Sequence, residues 1–370
     1  MSARFLTAVS GRAFNMRDRF GREIDYMRIS VIDSCNLNCY YCNPQDNNKK
    51  CQAINILSVK KVLCIVRAAT RLGIKHFRLT GGEPLLHPQL DEMVLQIKKI
   101  PGVSSVSLTT NAVLLVQHAK WLKEAGIDSI NVSLDTIDAS EYERITKKPL
   151  LEEVKHGINA AIECGIRVKI NVVLTPQTDV VALTRYVAKK GTDIRFIEMM
   201  PVGEGHTNGV EPYKKVIGTL SKLYGEPCRI NTEKTKEINS GNDKRKIPDN
   251  GPAEYYIFPE LGIRVGLIQA IHGKFCDTCN RIRVTADGRL MPCLGSSVTM
   301  DLVPDSWDFA DDVEKDFAIV RALRAAIKAK PRCHNFNDNA VTYTKTTETK
   351  TTEIEAAEVN AARNMSRIGG

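Results

Sequence analysis

Short apolar runs and longer amphipathic stretches alternate along the first 200 residues of the chain. Each apolar run has the length and composition of a strand, and the stretches between them repeat their apolar residues at a helical spacing. The predicted strands cover residues 27–32, 76–80, 103–109, 129–134, 168–174 and 193–199. The predicted helices cover residues 58–72, 89–99, 114–125, 151–164 and 180–190. The pattern thus predicts a strand before each helix and one further strand at the end.

This alternation predicts an α/β fold built from βαβ units. Such connections are right-handed and place successive strands in parallel, so that repeated units curl toward a barrel. The number of repeats is too small for a complete (β/α)8 barrel. We therefore expect a partial (βα)6 barrel over residues 1–201. An open doubly wound sheet stays an alternative, because it alternates strands and helices in the same way.

The rest of the chain predicts a smaller lobe over residues 202–335 and a tail over residues 336–370. The predicted elements of the lobe are a flexible loop at 240–251, short strands within 255–266 and 281–290, and a helix at 318–330. Residues 342–352 are rich in Thr, Lys and Glu and lack periodicity, a composition typical of disorder. We therefore expect a flexible tail, which ends in Gly369 and Gly370.

Three cysteines stand together after the first predicted strand, at Cys35, Cys39 and Cys42 in the run Cys-Asn-Leu-Asn-Cys-Tyr-Tyr-Cys. Three thiolates leave the fourth iron of a 4Fe–4S cluster without a protein ligand, and that iron can bind a small molecule and pass it an electron. The loop is expected at the carboxyl end of a strand, where α/β barrels place their active sites. Structural zinc is the alternative, but it requires four ligands, and the nearest further cysteine is Cys51 in a polar segment.

A second cysteine triad, Cys276, Cys279 and Cys293, lies in the predicted lobe with the spacing C-x2-C-x13-C. It again supplies three thiolates, and a zinc site completed by Cys333 is the alternative. The other cysteines have no paired spacing: Cys51, Cys64, Cys164 and Cys228. Clustered cysteines and a polar start without a signal peptide favour metal binding over disulfides, and a cytoplasmic location.

The 370-residue chain is basic, with a formal net charge of +9 and a pI near 8.9. Charge alone makes nucleic acid the first candidate partner. However, several basic residues fall at predicted strand ends that face one mouth: Arg28, Arg78, Lys169, Arg195, and, beside the second triad, Arg281 and Arg283. Arginine forks and lysine charges at one mouth suit a triphosphate, so we expect a nucleotide and no nucleic acid. We expect no membrane partner, since no apolar stretch approaches the roughly 20 residues of a span.

Together these motifs resemble those of a known enzyme family. The first triad resembles the signature of radical S-adenosylmethionine (SAM) enzymes. The two triads in this order, the run Asn280-Arg281-Ile282-Arg283 and the terminal Gly369-Gly370 resemble the molybdenum cofactor biosynthesis protein A family. The resemblance spans residues 22–330 and the end of the chain. It implies a lyase that acts as a GTP 3′,8-cyclase, with two 4Fe–4S clusters and SAM as cofactors.

The resemblance also implies roles for individual residues. The implied cluster ligands are the cysteines of the two triads. The implied SAM-contacting residues are Tyr41, Gly82, Ser133 and Met200. The implied GTP-binding residues are Arg28, Arg78, Thr109, Lys169, Arg195, Arg281 and Arg283. The implied catalytic residues are Arg281, Arg283, Gly369 and Gly370, the last two on a tail that enters the active site in the family.

The resemblance implies a reaction and its partners as well. SAM binds the open iron of the first cluster, and its reductive cleavage gives a 5′-deoxyadenosyl radical that takes a hydrogen atom from C3′ of GTP. The sugar radical then attacks C8 of the guanine, which the second cluster holds. The implied partners are GTP, an electron donor, a downstream cyclic pyranopterin monophosphate synthase and a second copy of the chain.

Four positions depart from the pattern usual in the family. Ser34 precedes the first triad where arginine is common, and Asn43 follows it where methionine is common. His76 stands where a second basic residue is expected, and a neutral histidine offers a triphosphate less charge. Ala112 replaces a glycine. Two alternatives therefore stay open: another radical SAM enzyme with an auxiliary cluster, which modifies a peptide or another nucleotide, and a zinc-containing nucleic-acid-binding protein.

Overall fold

A computed structural model describes residues 16–42, 54–202, 209–230, 251–296, 299–302, 312–334 and 336. All six predicted strands of the barrel form: β1 Tyr26–Ser30, β2 His76–Thr80, β3 Ser105–Thr110, β4 Ser129–Ser133, β5 Val168–Val173 and β6 Asp193–Ile197. They lie side by side in chain order, and all neighbours are parallel. The prediction of a partial barrel is confirmed, and the doubly wound alternative is wrong, because that fold reverses its strand order in the middle of the sheet.

Helices follow five of these strands, and five of the six helices match the predicted bounds closely. They are α1 Val59–Arg71, α2 Leu90–Lys98, α3 Leu115–Glu124, α4 Ala139–Thr146, α5 Leu151–Glu163 and α6 Val180–Lys189. The sequence reasoning missed α4, which is short and mostly polar. Its start carries a readable signal, since the Asp138 side chain accepts a hydrogen bond from the amide of Glu141. An aspartate three residues before a glutamate is a common N-terminal signature of helices.

Side chains of the barrel strands alternate between the helical layer and the barrel interior. On β1, Met27 and Ile29 are fully buried in the main hydrophobic core. On β2, Phe77 and Leu79 take the same outer positions. The intervening positions are polar or charged and line the interior. Barrel interiors are more often filled by branched apolar side chains, so this polar interior marks the functional part of the barrel.

Strands from the predicted lobe extend the barrel sheet at both edges. These strands are β7 Cys228–Ile230, β8 Glu254–Ile257, β9 Arg264–Ile268, β10 Arg281–Val284, β11 Arg289–Met291 and β12 Met300–Asp301. β9 pairs in parallel with β6, and β10 pairs in parallel with β1. The remaining strands add antiparallel pairs outside them. The sequence predicted short strands here but not their union with the barrel sheet, because pairing partners far apart in the chain leave no local pattern.

Two helices complete the described part of the chain. A π-helical turn at Tyr213–Ile217 leads into α7 Gly218–Tyr224, and α8 Asp312–Ala329 packs against α1. Within the described ranges, none of the helices combines the length and the apolar content that crossing a bilayer requires. Most of the predicted loop at 240–251 and nearly all of the predicted tail at 336–370 lie outside the described residues.

Candidate active site

The barrel interior is a cavity of about 700 Å³. Tyr26, His76 and Ser105, the first residues of three neighbouring strands, line its amino end. Residues at and beyond the last strand positions, such as Gly82 and Ser133, line its carboxyl end. The cavity therefore runs along the barrel axis, and we call its carboxyl end, where the cysteine loop follows β1, the mouth.

The first cysteine triad lies at this carboxyl end, and Cys35, Cys39 and Cys42 all line the cavity. The amide of Cys42 donates to the carbonyl of Cys39 at 3.0 Å, which folds the loop back on itself. Burial raises the pKa of the Cys35 thiol to about 11 and raises that of Cys39 as well. Three soft sulfur donors at one mouth are the donor set that iron–sulfur clusters use.

Cluster ligation by the two triads stays a prediction. In the part of the chain that the structure describes, no three or more His, Cys, Asp or Glu side chains form a group that could hold a metal ion. Both triads offer the sulfur donors that a 4Fe–4S cluster requires, and the first triad also lies at the carboxyl end of the cavity.

The glycine loop after β2 packs directly on the cysteine loop. The amide of Gly82 donates to the carbonyl of Ile32 at 2.7 Å, and the amide of Glu83 donates to that of Ser34 at 2.8 Å. A Cβ atom at Gly82 would lie 2.2 Å from the carbonyl oxygen of Ser34. Glycine is therefore required for the close approach of two backbones. Nothing in the sequence indicated this, and the family resemblance implied only a contact of Gly82 with SAM.

Glu83 is a buried carboxylate at this mouth. It accepts hydrogen bonds from the amides of Leu85 and Asn111 and from the hydroxyl of Thr110. Burial nevertheless raises the pKa of Glu83 to about 7. The carboxylate joins the end of β2 to the end of β3, which the sequence reasoning missed because only the fold brings these segments together.

Asp135 positions one of the residues that the family resemblance assigned to SAM. The hydroxyl of Tyr41 donates to Asp135 at 2.5 Å, and the amide of Val173 donates to the same carboxylate at 2.8 Å. Burial raises the pKa of Asp135 to about 6. Gly82, Ser133 and Met200 line the same end of the cavity. The structure thus gathers all four predicted SAM-contacting residues beside the first triad.

A layer of cationic side chains crosses the cavity below this mouth. Arg28 lies beside Arg78 on β2 and beside Arg283 on β10. Lys169 and Arg195 line the opposite side and are both only 4% exposed. Burial lowers the pKa of Arg28, and the charge of Arg283 lowers it further. Burial and the charge of Arg281 likewise lower the pKa of Arg283 to about 10.

All seven predicted GTP-binding residues line this one cavity: Arg28, Arg78, Thr109, Lys169, Arg195, Arg281 and Arg283. Their cationic groups are close enough to disfavour one another's charge. An anionic ligand between them would relieve that repulsion. The geometry therefore suits a polyanion inside the barrel.

Within this layer, Arg195 has a buried hydrogen-bond donor that no described residue satisfies. Its Nε donates to Asn171 at 3.0 Å, whereas its buried Nη2 has no hydrogen-bond partner within the described residues. Gly266 lies beside it on β9, and a Cβ there would lie 2.8 Å from the Arg195 Cγ. Glycine at 266 therefore leaves space for the Arg195 side chain. This role is visible only from the pairing of β9 with β6.

His76, one of the departures, lies at the amino end of the cavity. Its Nδ1 is 2.8 Å from the hydroxyl oxygen of Ser105. Burial lowers the pKa of His76, which favours the neutral ring. His76 thus offers a polar contact to a ligand but little positive charge.

Ala112, another departure, adopts the left-handed conformation with φ of 66°. That region favours glycine, so the structure explains why glycine is usual at this position. Asn43, Gly369 and Gly370 lie outside the described residues.

The second cysteine triad stands beside the cavity and does not line it. Phe275, Arg281 and Leu294, which are close in the chain to Cys276, Cys279 and Cys293, are the lining residues here. Burial alone would raise the pKa of Cys279, but the charges of Lys330 and Arg281 lower it overall.

Buried polar contacts hold the loop of the second triad. Arg22 donates to the carbonyl of Cys276 at 2.7 Å, and Lys330 donates to that of Arg281 at 2.8 Å. Glu198, on the loop after β6, accepts hydrogen bonds from the backbone of residues 271 and 272 and from the His272 ring. The triad is therefore anchored from both ends of the barrel sheet.

Known proteins match this chain over most of its length. A family model of the Radical SAM superfamily matches residues 29–182, and one described as Molybdenum Cofactor Synthesis C matches residues 192–336. The chain is 35% identical over 324 residues to a GTP 3′,8-cyclase of Clostridium perfringens (strain SM101 / Type A), across 87% of this chain and 95% of the relative. It is 36% identical over 327 residues to a GTP 3′,8-cyclase of Pelotomaculum thermopropionicum, across 86% of this chain and 95% of the relative.

A solved structure shares the fold. Streptococcus suis SuiB bound to the precursor peptide SuiA superposes with a TM-score of 0.55 at 15% identity, across 82% of this chain and 67% of that chain. The likeness at this identity concerns the fold alone. The sequence relatives show more than the fold, because they are 35% and 36% identical to this chain over 95% of their own length. The chain therefore belongs to the GTP 3′,8-cyclase family of the radical SAM superfamily.

Proposed function

We propose that this protein is itself a GTP 3′,8-cyclase, which converts GTP to (8S)-3′,8-cyclo-7,8-dihydroguanosine 5′-triphosphate in the first step of molybdenum cofactor biosynthesis. One observation carries the proposal: a layer of mutually repelling cations lies inside one cavity, below a mouth with three cysteines. Buried charges that repel one another are unfavourable unless a ligand of opposite charge joins them. A triphosphate offers that charge and accepts the forked hydrogen bonds of arginine.

Two sets of residues divide the work in this proposal. The first triad would hold one 4Fe–4S cluster, and the second triad would hold the other. When bound, the first cluster and SAM supply the 5′-deoxyadenosyl radical. Tyr41, Gly82, Ser133 and Met200 bind SAM at the mouth, and the Asp135 carboxylate fixes the Tyr41 hydroxyl.

GTP binds deeper, with its triphosphate between the cations of the layer. Its ribose then faces the mouth from which the radical comes, and the base faces the loop of the second triad, whose Cys279 lies two residues before Arg281. The barrel wall limits the access of water to the reacting groups, since Lys169 and Arg195 are 4% exposed and Arg283 is 6% exposed.

Another radical SAM chemistry is the second candidate. SuiB shares the fold, and its structure was solved with a bound precursor peptide. A peptide does not demand a buried layer of cations, so the interior favours the nucleotide. Family membership also speaks against the zinc-containing nucleic-acid-binding alternative.

Several further features belong to this proposal. Reductive cleavage of SAM requires an electron donor, and the cyclised product requires a downstream enzyme, for which we propose a cyclic pyranopterin monophosphate synthase. A cytoplasmic location suits the clustered cysteines. Pairing of two copies and entry of Gly369 and Gly370 into the site follow only from the family resemblance. The division into residues 1–201, 202–335 and 336–370 is a proposal as well; the second family model begins at residue 192, before the first of these boundaries.

Product analysis tests the proposal. Anaerobically reconstituted and reduced protein is mixed with SAM, with and without GTP. We expect 5′-deoxyadenosine to rise with GTP and a cyclised GTP product to accumulate beside it. 5′-Deoxyadenosine without a GTP-derived product would retain radical chemistry but reject GTP as the substrate.

A further inference from the structure

Tyr26 stands at the amino end of the cavity, opposite the mouth with the first cysteine triad. It is the first residue of β1, and its side chain lines the cavity on the same face of the strand as Arg28. It is 9% exposed. The proposed function gives it no role, although it is the one tyrosine among the described cavity-lining residues besides Tyr41.

Tyr26 contacts cationic groups on both neighbouring strands. Its hydroxyl accepts a hydrogen bond of 2.5 Å from Nε of Arg78 on β2. The guanidinium of Arg281 on β10 lies 5.4 Å from the centre of its ring. A cation at this distance from an aromatic ring is attracted to its face. One side chain thus engages two arginines that come from opposite sides of β1.

The hydrogen bond to Tyr26 is one of three that the Arg78 guanidinium makes. Its Nη1 donates to the carbonyl of Leu108 at 3.0 Å and approaches the Thr109 hydroxyl at 3.5 Å. These bonds use Nε and Nη1 and set the plane of the group. Its Nη2 makes no hydrogen bond to the described residues and stays available to a ligand in the cavity.

The charges around Tyr26 agree with this geometry. Burial alone would raise the pKa of its hydroxyl, but the charges of Arg78, Arg281 and Arg28 outweigh burial and lower it to about 8. The hydroxyl oxygen therefore lies in a strongly positive field, where its role as an acceptor is favoured.

We propose that Tyr26 is a positioning residue of the phosphate site, which holds Arg78 through its hydroxyl and Arg281 through its ring so that both arginines face the triphosphate together. The inference rests on the proposed function, because it takes GTP as the ligand. Tyr26 acts through the arginines and forms no bond to the reacting atoms.

The affinities of the Tyr26→Phe variant for two ligands, measured separately, test the proposal. Equilibrium dialysis on anaerobically reconstituted protein measures the affinity for GTP and for guanosine, which lacks phosphates. Because the phenyl ring keeps the packing and loses only the acceptor, we expect GTP affinity to fall about tenfold. Guanosine affinity should change by less than about twofold, since no phosphate contact is involved. Tyr186→Phe, which removes another buried tyrosine hydroxyl outside the cavity, is the matched control and should leave both affinities unchanged.

A double-mutant cycle with Arg78→Ala separates positioning from general packing. In the Arg78→Ala protein the hydroxyl has lost the group it holds, so adding Tyr26→Phe should cost GTP affinity less than about twofold. The proposal is wrong if Tyr26→Phe retains GTP affinity, if it weakens GTP and guanosine equally, or if it has its full effect without Arg78. Failure of the proposed function would look different, because the unsubstituted protein would then fail to bind GTP or to cyclise it.

Discussion

A single missing Cβ sets the distance between the two loops at the cavity mouth. Gly82 packs on the carbonyl of Ser34, just before the first cysteine of the triad. The usual argument from a Gly-Gly pair concerns flexibility or a nearby ligand. Here the constraint is contact between two backbones, neither of which can move like a side chain.

Gly82→Ala should therefore destabilise the protein and weaken SAM binding. Its Cβ would lie 2.2 Å from a carbonyl oxygen, so the loops must separate. We expect a loss of at least about 2 kcal/mol in the free energy of unfolding. Denaturant unfolding and SAM binding measure the two effects. Gly218→Ala is the control, because nothing lies within 4 Å of its Cβ position. Equal losses in the two variants would contradict this account of Gly82.

Ala112→Gly should stabilise the protein. Ala112 has φ of 66°, and an L-residue there carries a strain of about 1 kcal/mol or more. Glycine removes this strain and gives back part of the gain through unfolded-state entropy, so we expect a net gain of up to about 1 kcal/mol. Thermal or denaturant unfolding measures it. Ala119→Gly in α3 should instead lose about 1 kcal/mol, since helices disfavour glycine. A loss at both positions would contradict the interpretation of Ala112.

Glu83 should make stability depend on pH. Burial raises its pKa from 4.5 to about 7, so the folded state holds the proton more tightly than the unfolded state. This contribution to stability is complete below the unfolded pKa and is lost as pH rises through about 7. As pH rises from 4.5 to about 7, the free energy of unfolding of Glu83→Gln should therefore rise by up to about 3 kcal/mol relative to that of the unsubstituted protein. Denaturant unfolding at pH values below and above this window measures the difference, and a constant difference would contradict the assignment.

At the scale of elements, the sequence predicted the barrel strands well because each is a continuous apolar or alternating run. It missed α4, whose residues are mostly polar, and the pairing of β9 with β6 and of β10 with β1. That pairing depends on contacts between segments far apart in the chain. The roles of Gly266 and Tyr26 could not be predicted for the same reason, since each residue acts on a side chain of a neighbouring strand.

The sequence also predicted part of the candidate active site. Motifs and strand positions predicted the cationic layer, and all of its members line the cavity. Glu83 and Asp135 went unrecognised as parts of the mouth, because their partners Asn111 and Tyr41 lie on other loops. The sequence predicted one shared site for these residues but placed them at strand ends, whereas the structure places Arg28, Arg78 and Arg195 in the middle of their strands. The hydrogen bonds between loops were not readable from the sequence.

Arg22 connects the start of the described chain to its C-terminal part. It is buried, pairs with Asp18 at 2.5 Å, and donates to the carbonyls of Cys276, Pro331 and Arg332. Such a forked arrangement suits arginine and not lysine. The contact joins the loop of the second triad to the segment after α8.

Arg22→Ala should lower stability and weaken cluster binding at the second triad. Removing one partner of a buried pair costs about 3–5 kcal/mol. We expect a lower melting temperature and a lower iron content in protein whose first triad is replaced by serine. Arg22→Lys keeps the charge but reaches fewer carbonyls. Its melting temperature and iron content should therefore lie between those of Arg22→Ala and those of the protein that retains Arg22. Unchanged iron content in Arg22→Ala would show that the contact does not support the second triad.

At the scale of the whole molecule, the barrel interior brings together what the chain separates. The first triad comes from the start of the barrel, and Arg281 and Arg283 come from β10 on its other edge. Because β10 pairs with β1, residues that flank the two triads line one cavity. The net charge of +9 is thus partly explained by a buried layer of cations, and not by a surface for nucleic acid.

The central claim is that SAM and GTP meet in this cavity, with C3′ of the ribose facing the source of the radical. Transfer of deuterium tests it most directly. Reduced, reconstituted protein is mixed with SAM and with GTP that carries deuterium at C3′, and the 5′-deoxyadenosine is analysed by mass spectrometry. The account predicts deuterium in 5′-deoxyadenosine together with a cyclised GTP product. Unlabelled 5′-deoxyadenosine from the same mixture would contradict it.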